Sequence, residues 1–525
     1  MPIRKNFCSE KTMKKYADII PIESPVPAER QSAKRHYGVH PYFTRRPANV
    51  VRKYILHYSK EGDRILDPFG GSGVTAIEAF LENRVGIQND INPLANFVAQ
   101  GIADLAKGSL SDYRSALVSL REACQARLEE ILNANDARVN EILHSLRLPK
   151  NVPLPGNSDV AHYHDLFTPR QLASLAVLKD AIEKIQNQNT KNGMLLAWSA
   201  TLGKLNKTFL SAEGRAESRG GSSIFSIYRY KVAKKIVELP PWPTFLERAN
   251  NVLEAKAEID KAIELKKRTA GWCGVFENYA LDIEELSEAL NEKVDYIFTD
   301  PPYGGHISYL DLSTLWNAWL GSSPSPEVRE KELIVGGELK LTEADYMTRL
   351  GKSISTCVRL LKHYRWLSVV FQHWNTNYFE AILSAAAAEG AELKAAISQI
   401  GDPIWSMHKK KNKESVLAGE LILTFYKSGK PIQPKMNKHF AVPEILHKIL
   451  SKNSSGKLYG EYLFNKLIIE AWNNSAIGSL NINRTDFSDL IESYGWRYDT
   501  GHHYWTKEKS SEPSLFGSDE HENYG

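Results

Sequence analysis

The sequence predicts an α/β protein: an open, mostly parallel sheet, interrupted by a helical insertion and followed by a small α+β module. Three observations predict it. "DRILDPFGGSGVTAIEAFLENRVGIQND" (63–90) reads as strand, Gly-rich turn, helix, strand. "VDYIFT" (294–299) reads as a second buried strand, and it stops at an acid and two prolines, "DPPY" (300–303). Between them, over 103–270, apolar residues recur at helical spacing.

At 525 residues the chain exceeds what one core usually holds, so several domains are expected. The divisions predicted are 1–102 (N-terminal segment and first half of the sheet), 103–270 (helical insertion), 271–435 (second half of the sheet) and 436–525 (C-terminal module and tail). A net charge of +4 is too mild to demand a polyanion partner, but it permits a local basic face. Cys8, Cys124, Cys273 and Cys357 are scattered, with no CxxC, which argues against a disulfide framework or a zinc site. No apolar run reaches membrane-span length, and "MPIRKNFCSEKTMKKYADII" lacks the apolar centre of a signal peptide. A cytoplasmic protein with no membrane partner is expected.

In chain order, 1–48 is polar and punctuated by proline, ending in "HYGVHPYFTRRPAN". "VVRKYILHYS" predicts a helix with Val50, Val51, Ile55 and Leu56 on its apolar face. The strand–turn–helix–strand unit follows. In the insertion, Leu172, Leu175, Leu178, Ile182 and Ile185 carry helical spacing, and Thr168-Pro169 marks a helix start. "SAEGRAESRGGSSIFSIYRYKVAKK" (211–235) reads as a loop, either mobile or ordered by a ligand. The α/β pattern returns near 273, with strands at "VDYIFT", "RWLSVVFQHW" and "GELILTFYK". Residues 428–440 read as a linker. "DFSDLIESYGWRYDTGHHYW" predicts a helix and a short hairpin, a winged-helix-like outline, and the last 19 residues read as a disordered tail.

The Gly-rich turn has a defined chemistry. Asp67 ends its strand, and Phe69, Gly71 and Gly73 make F-x-G-x-G before a helix. Such glycines let backbone approach a ligand closely. Residue 76 is Ala where the dinucleotide fingerprint has its third glycine, and no G-K-[ST] follows, so neither that motif nor a phosphate loop fits. An acid at the turn disfavours phosphate and suits an amine. Asp90, about 20 residues after the turn, stands where an acid takes a ribose hydroxyl pair. Amine plus ribose suits S-adenosylmethionine better than NAD.

With Asp300-Pro301-Pro302-Tyr303 added, the chain resembles the S-adenosylmethionine-dependent DNA amino-methyltransferases over roughly 40–100 and 273–427. That resemblance implies a Rossmann-like methyltransferase sheet. It implies cofactor contacts from Asp67, Pro68, Phe69, Gly70, Gly71, Gly73, Asp90 and Ile91, and from Phe43 and Thr44 in the lead-in segment. It implies catalysis by Asp300, Pro301, Pro302 and Tyr303. The physical reason is that an aromatic amine is a poor nucleophile, its lone pair being delocalised into the ring. The Asp300 carboxylate and the Pro301 carbonyl would accept both amine hydrogens and aim that lone pair, with two prolines holding them rigid. Tyr303 would stack on a base flipped out of double-stranded DNA. One departure is Tyr279, where many relatives place an acid for the cofactor adenine; Asp282 is the substitute candidate.

Tyr228, Arg229, Lys231 and Lys234 mix cations with aromatics, as nucleic acid binding requires, although a solvated basic segment fits equally well. Lys410, in "WSMHKKKNK", is a further candidate, and Arg497, His502 and His503 are candidates in the C-terminal module. No cysteine follows a proline, which argues against cytosine C5 chemistry. Deaminase, nuclease and helicase signatures are absent from the sequence, so cleavage would need a separate restriction or defence subunit. Adenine in DNA is the leading substrate. Cytosine's exocyclic amine, RNA, and a non-catalytic recognition subunit are the alternatives.

Overall fold

The structure, a computed structural model, describes residues 16–29, 35–211, 220–269, 271–305, 307–373, 375–400, 419–428, 430, 442–451, 457–458, 460–474, 476–477, 484–499 and 504–507. Helix α1 (Ala48–Tyr58) leads into β1 (Arg64–Asp67), α2 (Val74–Leu81), β2 (Val85–Asn89) and α3 (Pro93–Asp104). The helical block contains α4 (Leu110–Asn133), α5 (Pro169–Glu183) and α6 (Gln188–Leu202). It continues with a hairpin, β3 (Phe209–Ser211) and β4 (Gly220–Ser222), and ends in α7 (Pro241–Thr269). Then come β5 (Val275–Tyr279), α8 (Ile283–Ala289), β6 (Val294–Thr299), α9 (Glu343–Leu360), β7 (Leu361–Phe371), α10 (Thr376–Ala388), β8 (Ala391–Ile400) and β9 (Gly419–Lys427). The C-terminal part has α11 (Val442–Ser451), β10 (Lys457–Leu458), α12 (Gly460–Asn473), α13 (Arg484–Ser493), β11 (Trp496–Asp499) and β12 (Tyr504–Lys507).

The main sheet has seven strands in the order β5-β2-β1-β6-β7-β9-β8. Pairing is parallel from β5 through β7, and β9 runs antiparallel to both β7 and β8. This is the Rossmann-like methyltransferase sheet expected from the motifs. All six residues of β6 are buried, including Asp295. That acid is tolerated because Lys362 Nζ, Arg365 Nε and the Arg64 backbone N–H all donate to it.

Strand alternation divides the core in two. Tyr296 and Phe298 of β6 face α1, α3 and the helical block. Ile297 of β6 faces α9, α10 and the C-terminal helices. The helical block therefore shares a continuous hydrophobic core with the first half of the sheet. Helix α5 starts as read: Thr168 and Gln171 form a capping box around Pro169, and Leu172, Leu175, Leu178 and Ile182 are buried.

Three details differ from the sequence expectation. Strand β7 begins at Leu361 and stops at Phe371, rather than spanning 365–374. Leu56 is exposed, and Tyr54 and Tyr58 complete the buried face of α1 instead. Strand β8 was unforeseen, because "AELKAAISQI" is rich in helix formers; pairing with β9 along its whole length overrides that preference. Lys410, His502, His503, most of the 428–440 segment and the tail beyond 507 lie outside the described residues. Among the described residues no helix is long and apolar enough to cross a membrane.

Candidate active site

Strands β1 and β6 are parallel neighbours, so the Gly-rich turn and the Asp300 turn emerge side by side at the carboxyl edge of the sheet. Here β1 hands the chain to β2 on one side while β6 lies on the other, the crevice where α/β sites form. A cavity of about 1720 Å³ opens at this edge. Its wall includes Phe43, Thr44, Asp67, Pro68, Phe69, Gly70, Gly71, Asp90, Ile91, Asp300, Pro301, Pro302 and Tyr303, bringing both predicted sets into one space. Gly73 lies behind the wall. Its φ of +89° begins α2, and a Cβ there would stand 2.6 Å from the Ala99 Cβ.

The turn is shaped around two carboxylates. Asp90 Oδ2 accepts from the Gly71 N–H at 2.9 Å, and Oδ1 accepts from the Asn92 N–H at 2.8 Å. Asp67 accepts from the Thr299 hydroxyl at 2.8 Å, the Thr75 hydroxyl at 2.8 Å and the Phe69 N–H at 3.2 Å. Burial nevertheless pushes the Asp67 carboxyl up to about 7, with the nearby Asp300 charge adding to the rise. Burial likewise pushes Asp90 up to about 6. Among the described residues neither acid is in an ion pair. A buried and a half-buried carboxylate on a cavity wall, with no cation beside them among the described residues, suit a ligand that brings positive charge and hydroxyl donors. S-adenosylmethionine carries both, so these residues fit it.

The lead-in segment lies over this turn. Phe43 is buried among Tyr42, Phe225, Tyr309 and Trp316, with ring centroids 5.4–6.5 Å away. Thr44 is exposed on the cavity wall, and Tyr309 is part of the same wall. Asp282 lines the cavity, but its carboxylate caps α8 through the Glu284 and Glu285 N–H groups and also holds Lys331. The Tyr279 phenol donates to Glu277 Oε2 at 3.2 Å.

On the other side, Tyr346 donates to the Pro302 carbonyl and so fixes the two-proline turn. The Tyr303 ring packs edge-to-face on Phe371 with centroids 5.2 Å apart. Asp300 Oδ2 is 2.5 Å from Arg46 Nε, while Oδ1 is buried and has no hydrogen-bond partner among the described residues. Arg46 also donates to Glu420 and to the Tyr303 phenol. Arg46 and Glu420 were not among the sequence candidates. The signal for Arg46 was present in the "RRPAN" quoted above, but nothing in spacing links it to Asp300.

The helical block reaches the same cavity. Tyr228 lines it, with a φ of +50° that is uncommon for a residue bearing a side chain. Arg229 is exposed and pairs with Asp159. Lys231 and Lys234 are exposed. Tyr230 is fully buried, and its phenol meets the Asp311 and Leu312 carbonyls at 3.0 and 2.7 Å, tying this segment to the extension after the Asp300 turn.

A family model described as DNA methylase, covering amino-methylases of the N6 and N4 type, matches residues 4–96. The chain is also similar to the Type II methyltransferase M.MjaII of Methanocaldococcus jannaschii, at 30% identity over 73 residues, which is 14% of each protein. The match therefore spans about one seventh of that relative's length. The sheet order, the two turns at its carboxyl edge and these matches agree: over its N-terminal part the chain is similar to the DNA methylases of the N6/N4 family.

Proposed function

We propose that the chain transfers a methyl group from S-adenosylmethionine to the exocyclic amine of adenine in double-stranded DNA, in the cytoplasm, as the modifying partner of a restriction or defence subunit. The observation that carries this reading is that Asp300, whose Oδ1 has no hydrogen-bond partner among the described residues, lines the same cavity as the Gly-rich turn. Asp67, Pro68, Phe69, Gly70, Gly71, Asp90 and Ile91 would hold the cofactor from the sheet side, Phe43 and Thr44 from the other, and Gly73 gives the turn its shape. When bound, S-adenosylmethionine supplies an electrophilic methyl group. The protein's own work is orientation: Asp300 Oδ1 and the Pro301 carbonyl accept the two amine hydrogens. Tyr303 offers its ring to a flipped base, and the neighbouring Phe371 keeps that ring in place.

Tyr228 supports placing target contacts on the helical block, because it reaches the cavity. Helix α13 carries Asp489 and Glu492, which repel phosphate, so we assign the C-terminal module a lesser share of DNA binding. Cytosine N4 is the second reading, favoured by a matched family that covers both amines.

The test is incubation with labelled S-adenosylmethionine and, in separate reactions, duplex DNA or RNA, followed by digestion to nucleosides. Label in N6-methyl-2′-deoxyadenosine is expected. Label in N4-methylcytosine alone would replace adenine with cytosine, and transfer to RNA alone would overturn DNA as the substrate. Asp300→Ala is expected to abolish transfer while still binding cofactor.

A further inference from the structure

We propose that Arg46 is a positioning residue for this transfer, clamped by Glu420 so that Asp300 offers one defined oxygen to the target amine; the inference rests on the methyltransferase reading above. Arg46 comes from the lead-in segment, Asp300 from the turn after β6 and Glu420 from the start of β9. Three distant stretches thus converge on one guanidinium. Nε meets Asp300 Oδ2 at 2.5 Å, and the other two nitrogens meet Glu420 and the Tyr303 phenol. The guanidinium carbon also lies 5.6 Å from the Tyr303 ring centroid. The three charged side chains are 16–22% exposed, so these contacts are only weakly screened by solvent.

The division of the Asp300 oxygens is the central point. A free carboxylate rotates and presents either oxygen. With Oδ2 held by a rigid planar donor, rotation is restricted and Oδ1, on a residue of the cavity wall, is left without a hydrogen-bond partner among the described residues. The same guanidinium fixes the Tyr303 ring. One side chain therefore sets both the acceptor and the stacking surface.

Glu420 resolves an electrostatic conflict. An arginine beside Asp300 would cancel the negative charge that favours an amine becoming cationic as it is methylated. Two carboxylates around one guanidinium leave one negative charge on the cluster. Burial opposes the charge on Arg46, but Asp300 and Tyr303 more than offset it, so the guanidinium stays protonated.

The experiment is single-turnover methyl transfer to duplex DNA by wild type, Arg46→Ala, Arg46→Lys and Glu420→Gln, with cofactor affinity measured by calorimetry. Arg46→Ala is expected to slow transfer roughly 10–1000-fold, the range seen for loss of a positioned electrostatic group. Its cofactor affinity should stay within about 3-fold, since the cofactor turn is untouched. Arg46→Lys should fall between the two, and added ethylguanidinium should restore part of the Arg46→Ala rate. Glu420→Gln should slow transfer without weakening cofactor binding. An Arg46→Ala rate at or above wild type would make the guanidinium an obstruction of the base site and overturn the proposal. A slow variant that neither lysine nor ethylguanidinium improves, and that melts earlier, would assign Arg46 to folding and also overturn it. A wild type that transfers no methyl group to DNA would overturn the parent reading, and this one with it.

Discussion

The Thr299 hydroxyl donates to Asp67 Oδ1 across 2.8 Å, joining the last residue of β6 to the last residue of β1. Both side chains are buried. The bond links the turn that would bind cofactor to the turn that would hold the target amine. Thr299→Val keeps the shape and removes the donor. A hydrogen bond contributes about 0.5–1.5 kcal/mol to a neutral acceptor and about 1.5–3 kcal/mol to an ionised one, so a loss in that range, larger above pH 7 where Asp67 is ionised, is expected. Urea denaturation and cofactor titration check it together. Unchanged stability with unchanged cofactor affinity would mean the bond is incidental.

Asp67 makes apo-protein stability depend on pH. Its folded-state carboxyl titrates near 7, above the ordinary carboxylate value, because it is buried. Below pH ~4 both folded and unfolded chains keep the proton, and this contribution is fully present. As pH rises toward 7 and beyond, the unfolded chain has released it and the buried group resists doing so, so stability falls. The difference in urea midpoint between wild type and Asp67→Asn should decline from pH 5 to pH 8. A cationic ligand should bind more tightly as pH rises through 7. A flat difference curve would show that Asp67 ionises freely in the fold.

Gly73 cannot carry a side chain without cost. Its φ is +89°, and a Cβ would meet Ala99 at a distance real atoms do not adopt. Gly73→Ala is expected to destabilise the protein by at least about 1–3 kcal/mol, the cost of a left-handed backbone for a residue with a side chain. Thermal melting checks it. Gly62 is a control: its φ is +82° but nothing lies within 4 Å of its Cβ position, so Gly62→Ala should cost less.

Lys231 and Lys234 are exposed beside the segment that reaches the cavity. If each contacts one phosphate, replacing both by alanine reduces the slope of log affinity against log salt by about 1.8. Binding should weaken similarly for all DNA sequences. An unchanged slope would make this stretch a solvated surface.

Legibility in the sequence followed the range of each interaction. Strands β1 and β6 were readable because burial, alternation and the abrupt turn residues are all local. The two turns that carry the proposed site residues were readable for the same reason. Arg46 was not, because its partner Asp300 lies 254 residues away and an arginine looks the same in sequence whether it faces water or a carboxylate. Glu420 was hidden similarly at the first positions of a strand. Strand β8 was hidden because its composition favours helix and its pairing with β9 decides otherwise.

Strand β5 pairs with β2 although the whole helical block separates them in sequence. The chain leaves the sheet and re-enters beside its point of departure. No strand changes neighbours if that excursion lengthens, shortens or is exchanged, provided the face packed on the sheet is kept. Positions of the excursion that face neither the sheet nor the cavity can therefore be rewritten while the order of strands stands still, much as one handle accepts many tools.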